Sequence, residues 1–304
     1  MEKIGRQPKI IYTLKKNFKR NGSFMFIKFF KWFAYVFTGA SALLLSTLVI
    51  FSLFNKSVPI NQSTKTCLIT GASSGIGREV AREMINRGWK VIGIARREEI
   101  LKEVAHEFGE AFIPYVCDVS IPEQVATVSE AIKKQGLQPT LFFLNAGTGY
   151  ADGKFQPLLN NHRQIFDTNY FGVIAWVDAW LNGVTTYGGG TFVATSSVNA
   201  LFAGPGAGGY GASKSALNAC FKALRLQYLN DNIGFILVLP GPVATEMLKA
   251  PRPMPFTHQA TDEARYIVDQ VFKGAQHIEP SWFYSCLLRK LNWLPDTLVL
   301  KIVS

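Results

Sequence analysis

The chain has 304 residues, 48% of them hydrophobic and 17% charged, so it can hold one large domain or two small ones. Its formal charge is +11, from 32 Lys and Arg residues against 21 Asp and Glu residues. Residues 1–31 alone contribute +8, which leaves the other 273 residues nearly neutral at +3. Because that main part has no basic patch interleaved with aromatic residues, the sequence predicts no nucleic-acid partner.

An uncharged apolar run, WFAYVFTGASALLLSTLVIFSLF, follows the basic segment and occupies residues 32–54. At about 1.5 Å per residue, a helix of this length would span the roughly 30 Å hydrocarbon core of a bilayer. A cleaved signal peptide is disfavoured because no small-x-small site follows, and a buried helix because no polar face interrupts the run. The sequence therefore predicts a single-pass membrane anchor. We expect it in the endoplasmic reticulum of a eukaryote or an inner membrane otherwise, and the side on which the main domain lies stays open.

A polar stretch without periodicity, residues 55–64, is predicted to be a linker. Between residues 65 and 280, continuously apolar runs that are typical of buried parallel strands alternate with helical patterns. The strand-like runs are TCLIT, KVIGIA, AFIPYVCDV, TLFFLNAG, GTFVATSS and IGFILVLPGPV. This alternation predicts an α/β domain with a doubly wound parallel sheet and right-handed crossovers.

The last segment, residues 281–304, is rich in aromatic and aliphatic residues, with Arg289 and Lys290 among them. Two interpretations stay open for this tail. It packs on the core or faces a substrate, or it lies at a lipid surface, where tryptophan and basic side chains suit the interface.

The four cysteines lie far apart, without a C-x-x-C motif and without a nearby histidine at metal-ligand spacing. They are Cys67, Cys117, Cys220 and Cys286. The sequence therefore predicts free thiols and no metal site.

A glycine-rich loop, TGASSGIG at Thr70–Gly77, follows the first predicted strand and opens a helix. Glycines let the backbone turn tightly and approach a pyrophosphate, whose charge then faces the helix N-terminus. Far downstream, Tyr210 and Lys214 lie four residues apart in GYGASKSAL, on one face of a predicted helix. The T-G-x-x-x-G-x-G loop and the Y-x-x-x-K pair resemble the short-chain dehydrogenase/reductase family over residues 65–275.

The resemblance implies a Rossmann-like fold, a nicotinamide cofactor and oxidoreductase activity on CH-OH or C=O groups. It implies the catalytic residues Asn169, Ser197, Tyr210 and Lys214, of which Ser197 and Tyr210 also bind the substrate. It further implies cofactor contacts by Gly71, Ser73, Ser74, Gly75, Ile76, Gly77, Arg96, Arg97, Asp118, Val119, Asn145, Ala146, Gly147, Tyr210, Lys214, Pro240, Gly241, Val243 and Thr245.

The chemistry of the family explains the residue types at the catalytic positions. Tyrosine acts as acid–base, the lysine ammonium favours the tyrosinate and holds the nicotinamide ribose, and serine steadies the developing charge. The family's asparagine holds a water that links the lysine to solvent. The small residues around Tyr210 are expected to leave room for nicotinamide and substrate.

The end of the second predicted strand indicates which cofactor is used. Ala95 stands where an enzyme that uses NAD would place an acid for the ribose 2′-OH, and Arg96 and Arg97 follow it. A guanidinium there suits a 2′-phosphate, although Ser74 occupies a loop position that is basic in some NADP-using members of the family. The sequence therefore predicts NADPH rather than NADH, the reductive direction, and Arg96 as the first candidate for the phosphate contact.

Substrate and partner are predicted only by class. Segments 198–208 and 247–256 would line the substrate pocket, and their apolar character favours a lipophilic ketone or aldehyde, such as a sterol, retinoid or keto-lipid. A role in lipid metabolism follows, and a homodimer through the helices holding Asn169 and Tyr210 is expected from the family. A membrane-tethered NADPH-binding sensor or scaffold without turnover stays open, although the complete set of four catalytic residues argues against it.

Overall fold

The computed structural model describes residues 57–149, 151–248 and 256–303. The chain divides into two compact units, residues 1–56 and residues 57–304, and the described residues all belong to the second. The predicted basic segment 1–31 and the predicted anchor 32–54 lie outside the described residues.

The predicted membrane localisation is corrected by the structure. Within the three described ranges, no helix combines the length and the apolar character needed to cross a membrane. The longest helix in these ranges, Gly208–Gln227, has 20 residues but carries Lys214, Lys222 and Arg225, so its length serves packing on a sheet. We therefore do not retain a membrane localisation.

A parallel sheet of seven strands forms the centre of the described unit. In chain order the strands are β1 (Thr66–Thr70), β2 (Lys90–Ala95), β3 (Phe112–Val116), β4 (Leu141–Leu144), β5 (Gly190–Thr195), β6 (Ile233–Val238), β7 (Val243–Ala244), β8 (His258–Gln259) and β9 (His277–Ile278). The large sheet has the order β3-β2-β1-β4-β5-β6-β9 with parallel pairing throughout, and β7 and β8 form a small second sheet. The predicted doubly wound parallel sheet is confirmed.

Helices cover both faces of the sheet. They are α1 (Gly75–Asn86), α2 (Glu98–Phe108), α3 (Pro122–Lys134), α4 (Leu159–Phe166), α5 (Gly172–Thr186), α6 (Gly208–Gln227), α7 (Ala260–Phe272), α8 (Trp282–Leu291) and α9 (Asp296–Val303). One core lies between the sheet and α1, α2 and α7, and the other between the sheet and α3, α5 and α6. In β1, Cys67 and Ile69 face the first core and Leu68 faces the second, which is why every residue of this strand is apolar or buried.

Residues 57–64, predicted to be part of a linker, pack against the domain instead. Val58 is buried and its amide donates a hydrogen bond to the carbonyl of Gly274 at 2.9 Å. The side-chain amide of Asn61 donates to the carbonyl of Tyr187 at 2.9 Å. Proline and polar residues without periodicity gave no signal for these contacts, because all of them are made with segments distant in the sequence.

Candidate active site

The predicted site residues gather at the carboxyl edge of the sheet, around the ends of β1, β4, β5 and β6. This edge includes the place where the strand order reverses, between β1 and β4, which is where open α/β sheets bind ligands. Two hydrogen bonds join the strand ends. The amide of Ala146 donates to Thr70 Oγ1 at 3.0 Å, and Thr195 Oγ1 donates to Asn145 Oδ1 at 3.2 Å. The loops that follow β1, β4 and β5 therefore form one connected surface.

The glycine-rich loop turns with two left-handed residues, Gly71 at φ +69° and Gly75 at φ +56°, which other residues adopt only with strain. A Cβ at Gly77 would lie 2.3 Å from the carbonyl oxygen of Gly71, so α1 can approach the loop this closely only with glycine there. The hydroxyl of Ser74, at the N-cap of α1, accepts a hydrogen bond from Arg97 and makes no capping bond with the helix. The loop thus offers a tight backbone turn and the N-terminal end of α1 to an anion.

Tyr210, Ser197 and Lys214 lie together beside the loop after β4. The hydroxyl of Ser197 lies near that of Tyr210 and lowers its pKa. Lys214 is 3% exposed, its Nζ donates to the carbonyl of Thr195 at 2.7 Å, and Nζ lies 5.8 Å from the centre of the Tyr210 ring. A Cβ at Gly147 would lie 3.5 Å from Lys214 Nζ, so the loop after β4 passes directly over the ammonium.

Burial shifts the pKa values of both titrating side chains. It lowers the pKa of Lys214 from 10.5 to about 8, because the ammonium is removed from water. It raises the pKa of Tyr210 above its ordinary 10, and the hydrogen bond from Ser197 offsets part of that rise. Burial is the largest influence on this pKa, so Tyr210 keeps its proton at neutral pH, and the effect of Lys214 on the tyrosinate stays a prediction.

Asn169 is completely buried and ties the loop after β4 to α6. It lies in a five-residue π-helix, Asp167–Phe171, a local widening that is frequent at functional sites. Its Oδ1 accepts from the amide of Thr148 at 2.8 Å, and its Nδ2 donates to the carbonyl of Thr148 at 2.9 Å and to Ser213 Oγ at 3.1 Å. Ser213 Oγ in turn donates to the carbonyl of Tyr210 at 2.8 Å. The side chain of Asn169 therefore fixes the two segments that carry Gly147 and Tyr210.

The two adjacent arginines after β2 point to different partners. Arg96 is exposed and its Nη1 donates to Asp118 Oδ2 at 3.3 Å. Arg97 reaches the glycine-rich loop, where its Nη2 donates to Ser74 Oγ at 2.6 Å and to Ser73 Oγ at 3.2 Å. From the sequence, both arginines were candidates for the 2′-phosphate contact, with Arg96 first. In the structure, Arg97 rather than Arg96 reaches this loop.

The carboxylate of Asp118 belongs to the same region. Burial by itself would raise its pKa, but hydrogen bonds from Ser120 and the nearby guanidinium of Arg96 hold that pKa below its usual range. Asp118 is therefore ionised at neutral pH and keeps Arg96 on the side of β3, away from the serines of the loop.

The segment Pro240–Thr245 closes the other side of the glycine-rich loop. The carbonyl of Pro240 accepts from the amide of Val198 at 3.1 Å, and a Cβ at Gly75 would lie 3.0 Å from the methyl group of Thr245. A cavity of about 760 Å³ opens between the loop, α2 and the segment after β7. It is lined by Ser73, Ser74, Gly75, Arg78, Glu79, Ile100, Glu103, Ala244, Thr245, Glu246, Leu248 and Ala260. It lies at the loop end of the site, and none of the four predicted catalytic residues lines it.

The glycines before and after Tyr210 make room for protein side chains, not chiefly for ligands as expected. A Cβ at Gly208 would lie 2.9 Å from Asp152 Oδ2, and one at Gly209 would lie 2.6 Å from the ring of His162. A Cβ at Gly211 would lie 2.4 Å from the Cβ of Ala203. The glycines therefore let α6 begin in close contact with the loop after β4 and with α4.

Asp152 is a site residue that the sequence did not reveal. Its carboxylate accepts from the amide of Gly209 at 3.1 Å, from Asn161 Nδ2 at 2.9 Å, and binds His162 Nε2 at 3.0 Å. It thus caps the helix that carries Tyr210 from 57 residues away in the sequence. The Gly208–Gly209 pair indicates that another segment packs closely against the start of α6, but the sequence does not show which side chain does so.

Helix α8 brings part of the predicted tail to the site. Its Leu288 and Leu291 pack with Val198, which directly follows Ser197, and Tyr284 packs on the same cluster. A Cβ at Gly241 would lie 2.7 Å from Ser281 Oγ, so the start of α8 also touches the loop after β6. Of the two interpretations left open for the tail, packing on the domain describes these residues of α8.

The amino-acid sequence is similar to those of known oxidoreductases. The sequence profile described as short chain dehydrogenase matches residues 65–255. An uncharacterized oxidoreductase of Escherichia coli, YbbO, is 35% identical over 186 residues, which cover 60% of this chain and 66% of that relative, just under two thirds of its length. The NADPH-dependent 1-acyldihydroxyacetone phosphate reductase of Saccharomyces cerevisiae is 32% identical over 200 residues, 65% of this chain and 67% of that protein.

Solved structures show the same fold. An alcohol dehydrogenase from Thermococcus sibiricus, complexed with 5-hydroxy-NADP, matches with a TM-score of 0.63 and 25% identity over 70% of this chain and 94% of that one. A short chain dehydrogenase/reductase from Burkholderia phymatum, in complex with NAD, matches with a TM-score of 0.67 and 22% identity over 78% and 94% of the two chains. With a family profile that spans most of the described unit and a Rossmann-like sheet beneath the matching residues, this chain belongs to the short chain dehydrogenase family.

Proposed function

We propose that this chain is an NADP(H)-dependent carbonyl reductase that acts on a lipophilic ketone or aldehyde. The observation that carries the proposal is the buried ammonium of Lys214 next to Tyr210, with the Ser197 hydroxyl near that of Tyr210. Burying a cation without a carboxylate partner costs free energy, so an arrangement of this kind is characteristic of a functional site.

The residues at the carboxyl edge of the sheet fit a nicotinamide dinucleotide. The turn at Gly71 and Gly75 and the N-terminal end of α1 would form a cradle for a pyrophosphate, and both glycines adopt a left-handed backbone that a side chain would strain. Gly147 leaves space beside Lys214 at the other end. When bound, NADPH would supply the hydride that reduces the carbonyl carbon of a substrate.

The protein side chains would supply the proton and hold the substrate oxygen. Tyr210, which is protonated at neutral pH, would donate its proton to the carbonyl oxygen as negative charge develops there. Ser197 would donate a hydrogen bond to the same oxygen. Lys214, with a pKa of about 8, can return a proton to Tyr210 near neutral pH, and Asn169 holds the two segments in register.

The choice of NADPH over NADH rests on Arg97. Its guanidinium lies against Ser73 and Ser74, so a 2′-phosphate bound there would meet one cation and two hydroxyl donors. No acidic side chain stands at Ala95, where it would bind the 2′-OH of NADH. Solved structures of similar proteins hold NADP-type cofactors in some cases and NAD in others, so this choice depends on the residues of this chain.

The proposal of a lipophilic substrate is based on the side chains around Ser197. Phe202, Tyr284 and Leu288 form an apolar cluster with Val198, and Phe256 lies 6.3 Å from Tyr284 between ring centres. Such a surface favours an alkyl or ring system over a sugar. The name of the yeast relative describes an acyl-bearing substrate, which agrees with this class.

The test is Tyr210→Phe, assayed with a panel of long-chain and cyclic ketones and with NADPH oxidation as the readout. Turnover should fall by about 10²–10⁴-fold, the usual loss when a general acid is removed, while NADPH affinity stays within about twofold. Tyr266→Phe, an exposed tyrosine on α7, is the matched control and should retain wild-type turnover. Turnover of Tyr210→Phe within a few-fold of wild type would contradict the assignment. Absence of turnover by the wild type across the panel would favour a cofactor-binding scaffold.

A further inference from the structure

The carboxylate of Glu246 binds the guanidinium of Arg97, which is the group proposed to bind the 2′-phosphate of the cofactor. Arg97 Nη1 donates to Glu246 Oε2 at 2.8 Å, while Nη2 donates to Ser74 and Ser73. The two side chains are 43% and 68% exposed, so solvent and ligands reach them. Glu246 is 149 positions away from Arg97 in the sequence, and it follows the cofactor segment Pro240–Thr245 directly.

Carboxylates and phosphates bind a guanidinium through the same donors, in the same plane. An anion bound by Arg97 and the two serine hydroxyls would therefore have Glu246 as its immediate neighbour. Two anions on one cation repel each other, and the repulsion is strong at this range when salt is low. Glu246 and Glu103 both line the 760 Å³ cavity beside the loop, but Glu246 is the one that binds Arg97.

We propose that Glu246 is a specificity residue that competes with the cofactor's 2′-phosphate for Arg97 and so limits the affinity for NADPH. The proposal rests on the proposed function, because it requires a 2′-phosphate at Arg97. NADH has no phosphate at this position and does not compete with Glu246. The carboxylate therefore narrows the preference of the site for NADPH over NADH.

The experiment compares Glu246→Gln, Glu246→Lys and the control Glu103→Gln in the full chain. Binding of NADPH and NADH is measured by the change in cofactor fluorescence at about 0.01 M and about 1 M salt. At low salt, Glu246→Gln should tighten NADPH by about two- to fivefold, the size expected for losing an exposed ion pair, and Glu246→Lys should tighten it further. NADH affinity should stay within about 1.5-fold in all variants, Glu103→Gln should match wild type, and the gains should shrink at high salt.

Three results with the glutamate variants would by themselves overturn the inference. They are weaker NADPH binding in Glu246→Gln, equal changes for NADPH and NADH, and an equal gain in Glu103→Gln, which would reflect only the general field of the cavity. Arg97→Ala separates this inference from the proposed function. If Arg97→Ala leaves NADPH affinity unchanged, the cofactor assignment fails and this inference fails with it. If Arg97→Ala weakens NADPH but Glu246→Gln changes nothing, the inference alone fails.

Discussion

The two ends of the proposed cofactor site are built in opposite ways. At the catalytic end, Lys214 is 3% exposed and Asn169 is fully buried, and each is held by hydrogen bonds within the protein. At the phosphate end, Arg97 and Glu246 are 43% and 68% exposed and bind each other across two loops.

The difference in burial determines how each end should respond to substitutions and to salt concentration. A buried cation has strong interactions, shifts its pKa, and is little affected by salt. An exposed ion pair is worth about 0–1 kcal/mol and is screened. We therefore expect large, salt-independent effects at the catalytic end and small, salt-dependent ones at the phosphate end.

Lys214→Met should have the largest effect. Turnover should fall by at least about 10²-fold, because the proposed proton path to Tyr210 would lose the only buried ammonium among the described residues. Unfolding free energy should change in the opposite direction, rising by roughly 1–2 kcal/mol near neutral pH, since a desolvated charge is removed at the expense of one hydrogen bond to Thr195.

The pH dependence of stability provides the check for this variant. The pKa of Lys214 is about 8 in the folded protein and 10.5 ordinarily, so the unfolded chain binds more protons between these values. Wild-type stability should therefore gain a contribution from Lys214 as pH rises from about 8 to about 10.5, and Lys214→Met should lack it. Urea unfolding of both proteins at about pH 7 and about pH 9.5 measures the difference in their unfolding free energies and how that difference depends on pH. Equal pH slopes for the two proteins would contradict the burial of a charged Lys214.

Asp152→Ala should have the next largest effect, because Asp152 caps the helix of Tyr210 from outside it. Loss of an N-cap costs about 0.5–2 kcal/mol of unfolding free energy, and a shifted Tyr210 should lower turnover by about tenfold. NADPH affinity should stay within about twofold, since Asp152 lies away from the glycine-rich loop. Thermal unfolding, kcat and cofactor titration separate the three terms.

Asp152→Asn is the control for this prediction. It keeps one acceptor oxygen of the same shape for Gly209, so it should lose clearly less turnover than Asp152→Ala. Equal losses in the two variants would show that the negative charge, and not the capping hydrogen bond, is what α6 requires.

Arg97→Ala should have the smallest effect on turnover and should act on cofactor choice. NADPH affinity should fall by about tenfold at low salt, the scale of a charge-assisted contact, and NADH affinity should barely change. Arg96→Ala, which removes the neighbouring contact with Asp118, should change NADPH affinity by less than about threefold. The reverse order of the two variants would return the phosphate contact to Arg96.

The chain order of the elements was largely predictable, and the reason is local. Apolar runs such as TCLIT and helical spacing at Val80 and Met84 reflect burial on the two sides of one sheet, which short windows of sequence record directly. Residues 57–64 were not predictable, because Val58 and Asn61 are held by distant segments.

The sequence by itself determined the doubly wound sheet, the glycine-rich loop and the spacing of Tyr210 and Lys214, because each depends on neighbours within a few turns or strands. The tertiary structure decided which of two adjacent arginines reaches Ser73 and Ser74, that Glu246 binds the same guanidinium, and that Asp152 caps α6. It also decided that burial raises the pKa of Tyr210 although Lys214 lies nearby. The physical reason is common to all four. Ion pairs, caps and desolvation depend on distances across loops, and sequence spacing does not record those distances.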